Sequence, residues 1–354
     1  GGGVVRSPES GTATISDGTV TNNVNNSFRG GVSSSKGSAF IARGANSLSF
    51  SNVTINSVAN TIPLNIWKNA SINANGLTIS GPANSSVDTV FMLLGAYDGT
   101  GGGSLNYSGT NTMSGITGTI ASSGGVININ SGGTLTMANS QIKLASGVSI
   151  SLESGANLVL DNSTLSGTGI TVPSGATLTL KGSSSVSGTI TVQSGGTLIY
   201  DGAGTKSKTS SLFMNTGSTL TLRNGTVFNW GSSNLNCNAN VETGSTLNTG
   251  SYIGSSSSFI TVNVSGGSTL NSTSSCELNA VLSLSGGSVF NSTTNTFWLN
   301  GTVNADNSTV NIRGSYSNDN RSGSQNARTV NLTNGAVMNF QSGSSYSTSS
   351  YNRY

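Results

Sequence analysis

The chain has 354 residues, of which 7% are charged and 33% hydrophobic; 14 basic and 11 acidic side chains leave a net charge of +3, and histidine does not occur. An ordinary globular domain is roughly 25% charged and 45–50% apolar, so this chain cannot fill a broad, spherical core. The missing histidine argues against a Ser–His–Asp triad or a histidine-bound zinc, and the scattered cations form no basic stripe for nucleic acid.

Gly/Ser-rich chains are commonly flexible coil, but disorder goes with high net charge and few β-branched residues. Here valine, isoleucine and threonine recur throughout, which suits a thin, hydrogen-bonded β structure. No window approaches the ~18 apolar residues of a membrane span. Beginning at Gly1, the chain is expected to be a mature product or an excised piece.

Residues 1–125 read as irregular coils. GTATISDGTVTNN (11–23), NSLSFSNVTINSVAN (46–60) and NASINANGLTISG (69–81) alternate apolar and polar residues between Gly/Asn corners. The stretch 87–104, DTVFMLLGAYDGTGGGSL, is the most apolar window and breaks this rhythm, as an insertion or a wider coil.

Residues 126–340 carry a repeat, a small-residue turn followed by a short strand. It reads SGGTLTM (131–137), SGANLVL (154–160), SGATLTL (174–180), SGGTLIY (194–200), TGSTLTL (216–222), TGSTLNT (243–249), GGSTLNS (266–272) and SGGSVFN (285–291). Two looser copies follow, DNSTVNI (306–312) and TNGAVMN (333–339). The apolar anchors are Leu135, Leu158, Leu178, Leu198, Leu220, Leu247, Leu270, Val289, Val310 and Val337, read as one core ladder. A second alternating strand precedes each turn, as in VINI (126–129) and ITVNV (260–264). From 341 to 354 runs a Tyr/Ser-rich tail; its Tyr346, Tyr351, Arg353 and Tyr354 suit either a disordered end or a contact with a neighbouring subunit.

Several strands of three to five residues in every twenty cannot pair as hairpins in sequence order. Stacked coils instead pair each strand with its counterpart one repeat away, in parallel. The expected fold is all-β, a single-stranded parallel β-helix (β-solenoid) with about 20–22 residues per coil. A β-sandwich would show hairpin turns every 8–12 residues or so. Cys237 and Cys276 lie on alternating apolar rows, facing the core. Two coils separate them by about 10 Å, beyond the 4.4–6.8 Å Cα range of a disulfide, which favours free thiols over a staple.

Chemistry is sparse. Asp161 (LVLDN) and Asp201 (LIYDG) both follow an apolar strand, about two coils apart. A facing carboxylate pair about 5–9.5 Å apart hydrolyses glycosides; the plainer reading makes both corner residues in turn hydrogen bonds. Thr134/Thr136, Thr177/Thr179 and Thr219/Thr221 form TxT pairs like those of ice-binding solenoids, interrupted by Asn157/Val159 and Thr246/Asn248. No catalytic residue, metal or cofactor is expected.

The segment GTITVQSGGTLIYDG (188–202) resembles the repeats of bacterial adhesins and autotransporter passenger domains. TISDGTVTNN and SAFIARGANSLSFSNVTI, in the first sixty residues, resemble β-helix repeats of the pectin-lyase-like superfamily. The resemblance implies a right-handed parallel β-helix outside the cell, with adhesion or surface assembly for many members and polysaccharide cleavage for some. The expected role is therefore a secreted, non-enzymatic structural protein, either a fibrous surface adhesin or a subunit of a head-to-tail filament. End-to-end self-association is the expected partnership, with glycans or a cell surface as possible targets and no nucleic acid. A polysaccharide-binding or polysaccharide-cleaving β-helix of the phage tail-spike type is the alternative, followed by an ice-binding one.

Overall fold

Period-two alternation sets the local structure. In SGGTLTM, Leu135 and Met137 fall on one side of an extended chain and Thr134 and Thr136 on the other. In a computed structural model of the protein, Thr134–Ala138 is such a strand, with both apolar side chains buried and the threonines half-buried. The structure describes residues 5–6, 12–22, 38–42, 47–67, 69–95, 102–121, 124–250, 252–255, 257–293, 296–313, 315–317, 328–341 and 345–347. Among them the regular structure is all strand, with no helix and hence none able to cross a membrane. The chain divides into two compact units, Gly1–Thr191 and Val192–Tyr354. Each is a parallel β-solenoid.

Among the described residues, three long ladders run through the first unit. One joins Ser71–Asn75, Ser104–Ser108, Val126–Ile129 and Ser149–Leu152. The next joins Thr78–Ser80, Thr110–Ser114, Thr134–Ala138, Asn157–Asp161 and Thr177–Lys181. The third joins Ser38–Ala42, Ile62–Ile66, Val90–Leu94, Thr117–Ala121, Gln141–Leu144 and Thr164–Ser166. Leu135 stacks on Leu158, and Leu158 on Leu178. The apolar window near residue 90 is a rung of the third ladder: Phe91, Met92 and Leu94 are buried. The coil containing it is wider, with an offset of 33 residues between Asn73 and Asn106 against 22 between Asn106 and Asn128.

Among the described residues, three long ladders also run through the second unit. Ladder A joins Thr197–Asp201, Thr219–Arg223, Asn238–Val241, Ile260–Val264, Ala280–Leu284, Thr302–Asp306 and Thr329–Thr333. Ladder B joins Gly204–Ser207, Thr226–Gly231, Thr246–Thr249, Thr269–Ser272, Val289–Ser292, Thr309–Ile312 and Val337–Phe340. Ladder C joins Tyr252–Ile253, Cys276–Leu278, Thr296–Leu299, Ser315–Ser317 and Ser345–Ser347.

The ten anchors do not form one row, and here the sequence reading needs correction. Leu198 stacks on Leu220, but the row continues through Ala239, Val262 and Leu282. Leu247 and Leu270 stack on ladder B, between Phe228 and Phe290. Two strands, Thr226–Gly231 and Asn238–Val241, intervene between Arg223 and Thr246, and they carry the repeat signature onto the next face. Val289 and Val337 are also not core residues. Val289 pairs with Thr269 and Thr309 on the outer side, while Phe290 is fully buried and pairs with Val310. Val337 is 47% exposed, and Met338 pairs with Val310 instead. A β-branched side chain suits either side of a strand, and the larger apolar neighbour takes the interior.

Corners depend on left-handed backbone. Gly175 has φ +77°, and a Cβ there would lie 2.4 Å from Ser154 Oγ of the preceding rung. Asn162, Asn224 and Asn307 supply the same conformation at φ 47°, 55° and 45°.

Cys237 and Cys276 are both fully buried and both free. Burial pushes each thiol from 9.0 up to about 12. Burial likewise raises the Tyr200 phenol from 10.0 to about 12. The folded state therefore keeps protons that the unfolded chain releases above its own lower values. Stability is full below about pH 9 and falls as pH rises toward 12, by up to a few kcal/mol per group. Urea midpoints should stay level from about pH 6 to 8.5 and then decline; a Cys237→Ala/Cys276→Ala double variant should start its decline later, where the tyrosine titrates. A thiol reagent at about pH 8 should find neither cysteine until urea unfolds the chain; rapid labelling of the native protein would contradict this placement.

Candidate functional site

Ladder B carries the most regular surface. Its strands read T-L-N, T-L-N, V-F-N, T-V-N and V-M-N from Thr246 to Asn339. The middle residue points inward, so two outward rows remain, one of threonine or valine and one of asparagine. The asparagine row is Asn229, Asn248, Asn271, Asn291, Asn311 and Asn339. From Asn248 onward each Nδ2 donates to the Oδ1 of the rung before it, at 2.8, 2.8, 2.8, 2.9 and 2.9 Å. A carboxamide has two N–H donors and two acceptor lone pairs. The column uses one of each, and the interior rungs keep one donor and one acceptor apiece for solvent or ligand. Bonds all running one way polarise one another. Shorter columns join Asn128, Asn106 and Asn73 in the first unit, and Asn263 with Asn240 on ladder A.

At the corner after ladder B lies an open groove of about 520 Å³. Its walls are Asn229, Asn248, Ser232, Thr249, Thr273 and Ser274, with the glycines at 231 and 250, so no charged side chain lines it. Gly250 is required there, since a Cβ would lie 2.3 Å from the Gly231 carbonyl oxygen.

Beyond the corner, ladder C places Tyr252, Glu277 and Trp298 in register on successive rungs. Their neighbours Ile253, Leu278 and Leu299 are buried, so this row faces outward. Tyr252 is 37% exposed. Glu277 Oε1 accepts a hydrogen bond of 2.6 Å from Asn300 Nδ2.

The residues singled out from sequence fall elsewhere. Asp161, in the first unit, pairs in register with Lys181, and its Oδ1 accepts from Asn162 Nδ2 at 3.1 Å. Asp201, in the second, pairs with Arg223, and its Oδ1 accepts from Asn224 Nδ2 at 2.6 Å. Asp161 thus serves its own corner and Asp201 the corner of the next rung. Among the described residues no three His, Cys, Asp or Glu side chains gather as metal ligands would. Thr134/Thr136 and Thr177/Thr179 share a face with Asn157/Val159 between them, and Thr179 is only 9% exposed. Thr221 is 3% exposed, so the TxT pairs make no continuous outward array. Tyr346 pairs in register with Tyr316; Tyr351, Arg353 and Tyr354 lie outside the described residues.

Sequence reasoning passed over both surfaces. The asparagine column had a signal, an asparagine directly after the inward residue in consecutive copies. The Tyr252, Glu277 and Trp298 row had none, because it follows corners of unequal length. No protein-family model matches the chain, and no curated protein matches it in sequence.

Asn271 joins two bonds of the column and Asn339 only one. Asn271→Ala should cost about 1–3 kcal/mol and Asn339→Ala about half as much, read from urea unfolding. Equal costs would mean that the column adds nothing beyond each residue's own strand contacts.

Proposed function

We propose that the protein is a secreted, extracellular structural solenoid, acting as a fibrous surface adhesin or as the subunit of a head-to-tail filament, without catalysis and without a cofactor. The observation that carries this reading is the recurrence of one surface chemistry, threonine or valine beside asparagine, over successive rungs of ladder B. Catalysis needs unlike groups converging on one point. A periodic surface serves repeated contact along a length. The extracellular setting rests on the resemblance of 188–202 to adhesin repeats.

Self-association has its own support. Among the described residues, Thr329–Thr333 has a parallel partner only on the rung before it. Leu332 on this strand and Val337 just after it are 42% and 47% exposed. An unpaired strand edge with apolar side chains templates further pairing.

Electron microscopy of the purified chain should show elongated particles or end-to-end polymers. A Leu332→Lys/Val337→Lys variant should shorten any polymers, since charge on an edge strand blocks pairing. Uniformly globular monomers at every concentration would refute the proposal, as would reducing ends released from a polysaccharide by the purified protein.

A further inference from the structure

Lys206 and Lys208, close together in a chain with few cations, have no part in the structural reading. Lys206 pairs in register with Phe228 on the first rung of ladder B, and the Lys208 N–H continues the ladder by donating to the Asn229 carbonyl at 2.8 Å. Alternation then carries the Lys208 side chain to the Trp230 side. Its ammonium lies 4.7 Å from the centroid of the Trp230 ring and donates to Ser233 Oγ at 3.1 Å. Trp230 is itself fixed, buried and with its Nε1 donating to Asn234 O at 2.9 Å. The ion pairs among the described residues, Lys143 with Asp88 and Arg223 with Glu242, use other cations, so within that set neither Lys206 nor Lys208 has a carboxylate partner.

Lys208 is also one wall of a groove of about 370 Å³, whose other walls include Phe213, Asn215, Thr216 and Asn236. On the strand Leu212–Met214 the first and last side chains are buried and the middle one points out, so Phe213 stands 52% exposed. We propose that this groove binds a compact aromatic carboxylate, its carboxylate on the Lys208 ammonium and its ring against Phe213. An ammonium has three donors; Ser233 takes one, which leaves two for charge-assisted bonds to the ligand. The contacts with Trp230 and Ser233 already hold the charged head, so little side-chain freedom is lost on binding. The exposed ring beside that charge gives an aromatic ligand an offset-stacked or edge contact. Asn236 uses one N–H on Met214 O at 3.2 Å and keeps the other, and Thr216 adds a hydroxyl, so the wall holds further donors.

Size and charge select the class. Pockets for small ligands begin at about 300 Å³, so the groove suits a ligand of one ring. Its walls hold no acidic side chain, and Lys206 adds a second positive charge on the same side of the chain as Lys208. A nucleotide would bring several phosphate charges, for which two lysines without a helix N-terminus are a poor match. A neutral aromatic would leave the ammonium without a counter-charge. The inference does not depend on self-association, since Lys208 and Phe213 lie on rungs well before Thr329–Thr333.

Ligand-observed NMR titration of the full chain tests it, with benzoate, phenylacetate and hydrocinnamate as probes and acetate and hydrocinnamide as controls. At least one of the three aromatic acids should bind with a Kd at or below about 1 mM. Raising NaCl from about 0.05 to about 0.5 M should weaken that binding severalfold, and both controls should bind at least about fivefold more weakly. Phe213→Ala and Lys208→Met should each weaken it roughly tenfold, while Phe213→Tyr, which keeps the ring, should hold it within about twofold. Unchanged far-UV circular dichroism shows that the variants fold, and Phe213, being exposed, can be replaced without opening the core. The proposal is overturned if none of the three acids binds, if acetate or hydrocinnamide binds as tightly as the best of them, or if Phe213→Ala binds as the wild-type chain does. A peptide ending in phenylalanine that binds about tenfold more tightly than every free acid would also overturn it, in favour of a protein partner.

Discussion

Backbone hydrogen bonds along the coil axis allow so polar a chain to fold. A strand in a parallel stack gives its N–H and C=O groups to the rungs on either side, so the unit of folding is the pair of coils rather than the coil. The apolar residues then need to fill only a narrow interior. In the first unit Leu135, Leu158 and Leu178 do so one above another. A globular core would leave the remaining serines, threonines and asparagines to turns and surface; a stack returns them to the same place in every rung.

That return satisfies polar groups which would otherwise be costly to bury. Ser140, Ser163 and Ser184 sit at one buried corner of three successive coils. Ile116 N–H donates to Ser140 Oγ at 3.1 Å, Ser140 N–H to Ser163 Oγ at 3.0 Å and Ser163 N–H to Ser184 Oγ at 3.0 Å. Each hydroxyl in turn donates to a backbone carbonyl, as Ser163 Oγ does to Asp161 O at 2.8 Å. The asparagine column of ladder B repeats this on the outside with side chain bonded to side chain. Core, corner and surface are three consequences of one register.

The periodic part of this was legible in the residues: alternation within strands, small residues at corners and a spacing near twenty imply parallel stacking before any coordinates. Phase was not. The signature around Leu220 and the one around Leu247 look alike, yet they lie on ladders A and B, because the strands Thr226–Gly231 and Asn238–Val241 come between them. Val289 looked like an anchor because it is aliphatic, while Phe290 beside it is the larger apolar side chain and lies inside. Alternation says that neighbours face opposite ways; it does not say which of two apolar neighbours faces in. The row of Tyr252, Glu277 and Trp298 was out of reach for another reason. Tyr252–Ile253 is a strand of two residues, too short for a pattern, and only the stacking brings the three side chains into line.

The asparagine column also has a direction. Every amide donates toward the lower-numbered rung, so the acceptor end of the column lies at Asn339. A strand added to that rung in register extends the column only if it presents an N–H donor at that position, and it must run parallel to share the backbone ladder. A copy approaching in the opposite sense meets both conditions badly. Its own Asn339 could rotate an N–H toward the first, but the strands would then run antiparallel, against the slanted bond pattern of all seven strands of ladder B. If copies join end to end as proposed, the assembly would be polar, because only head-to-tail addition continues both the side-chain column and the backbone ladder.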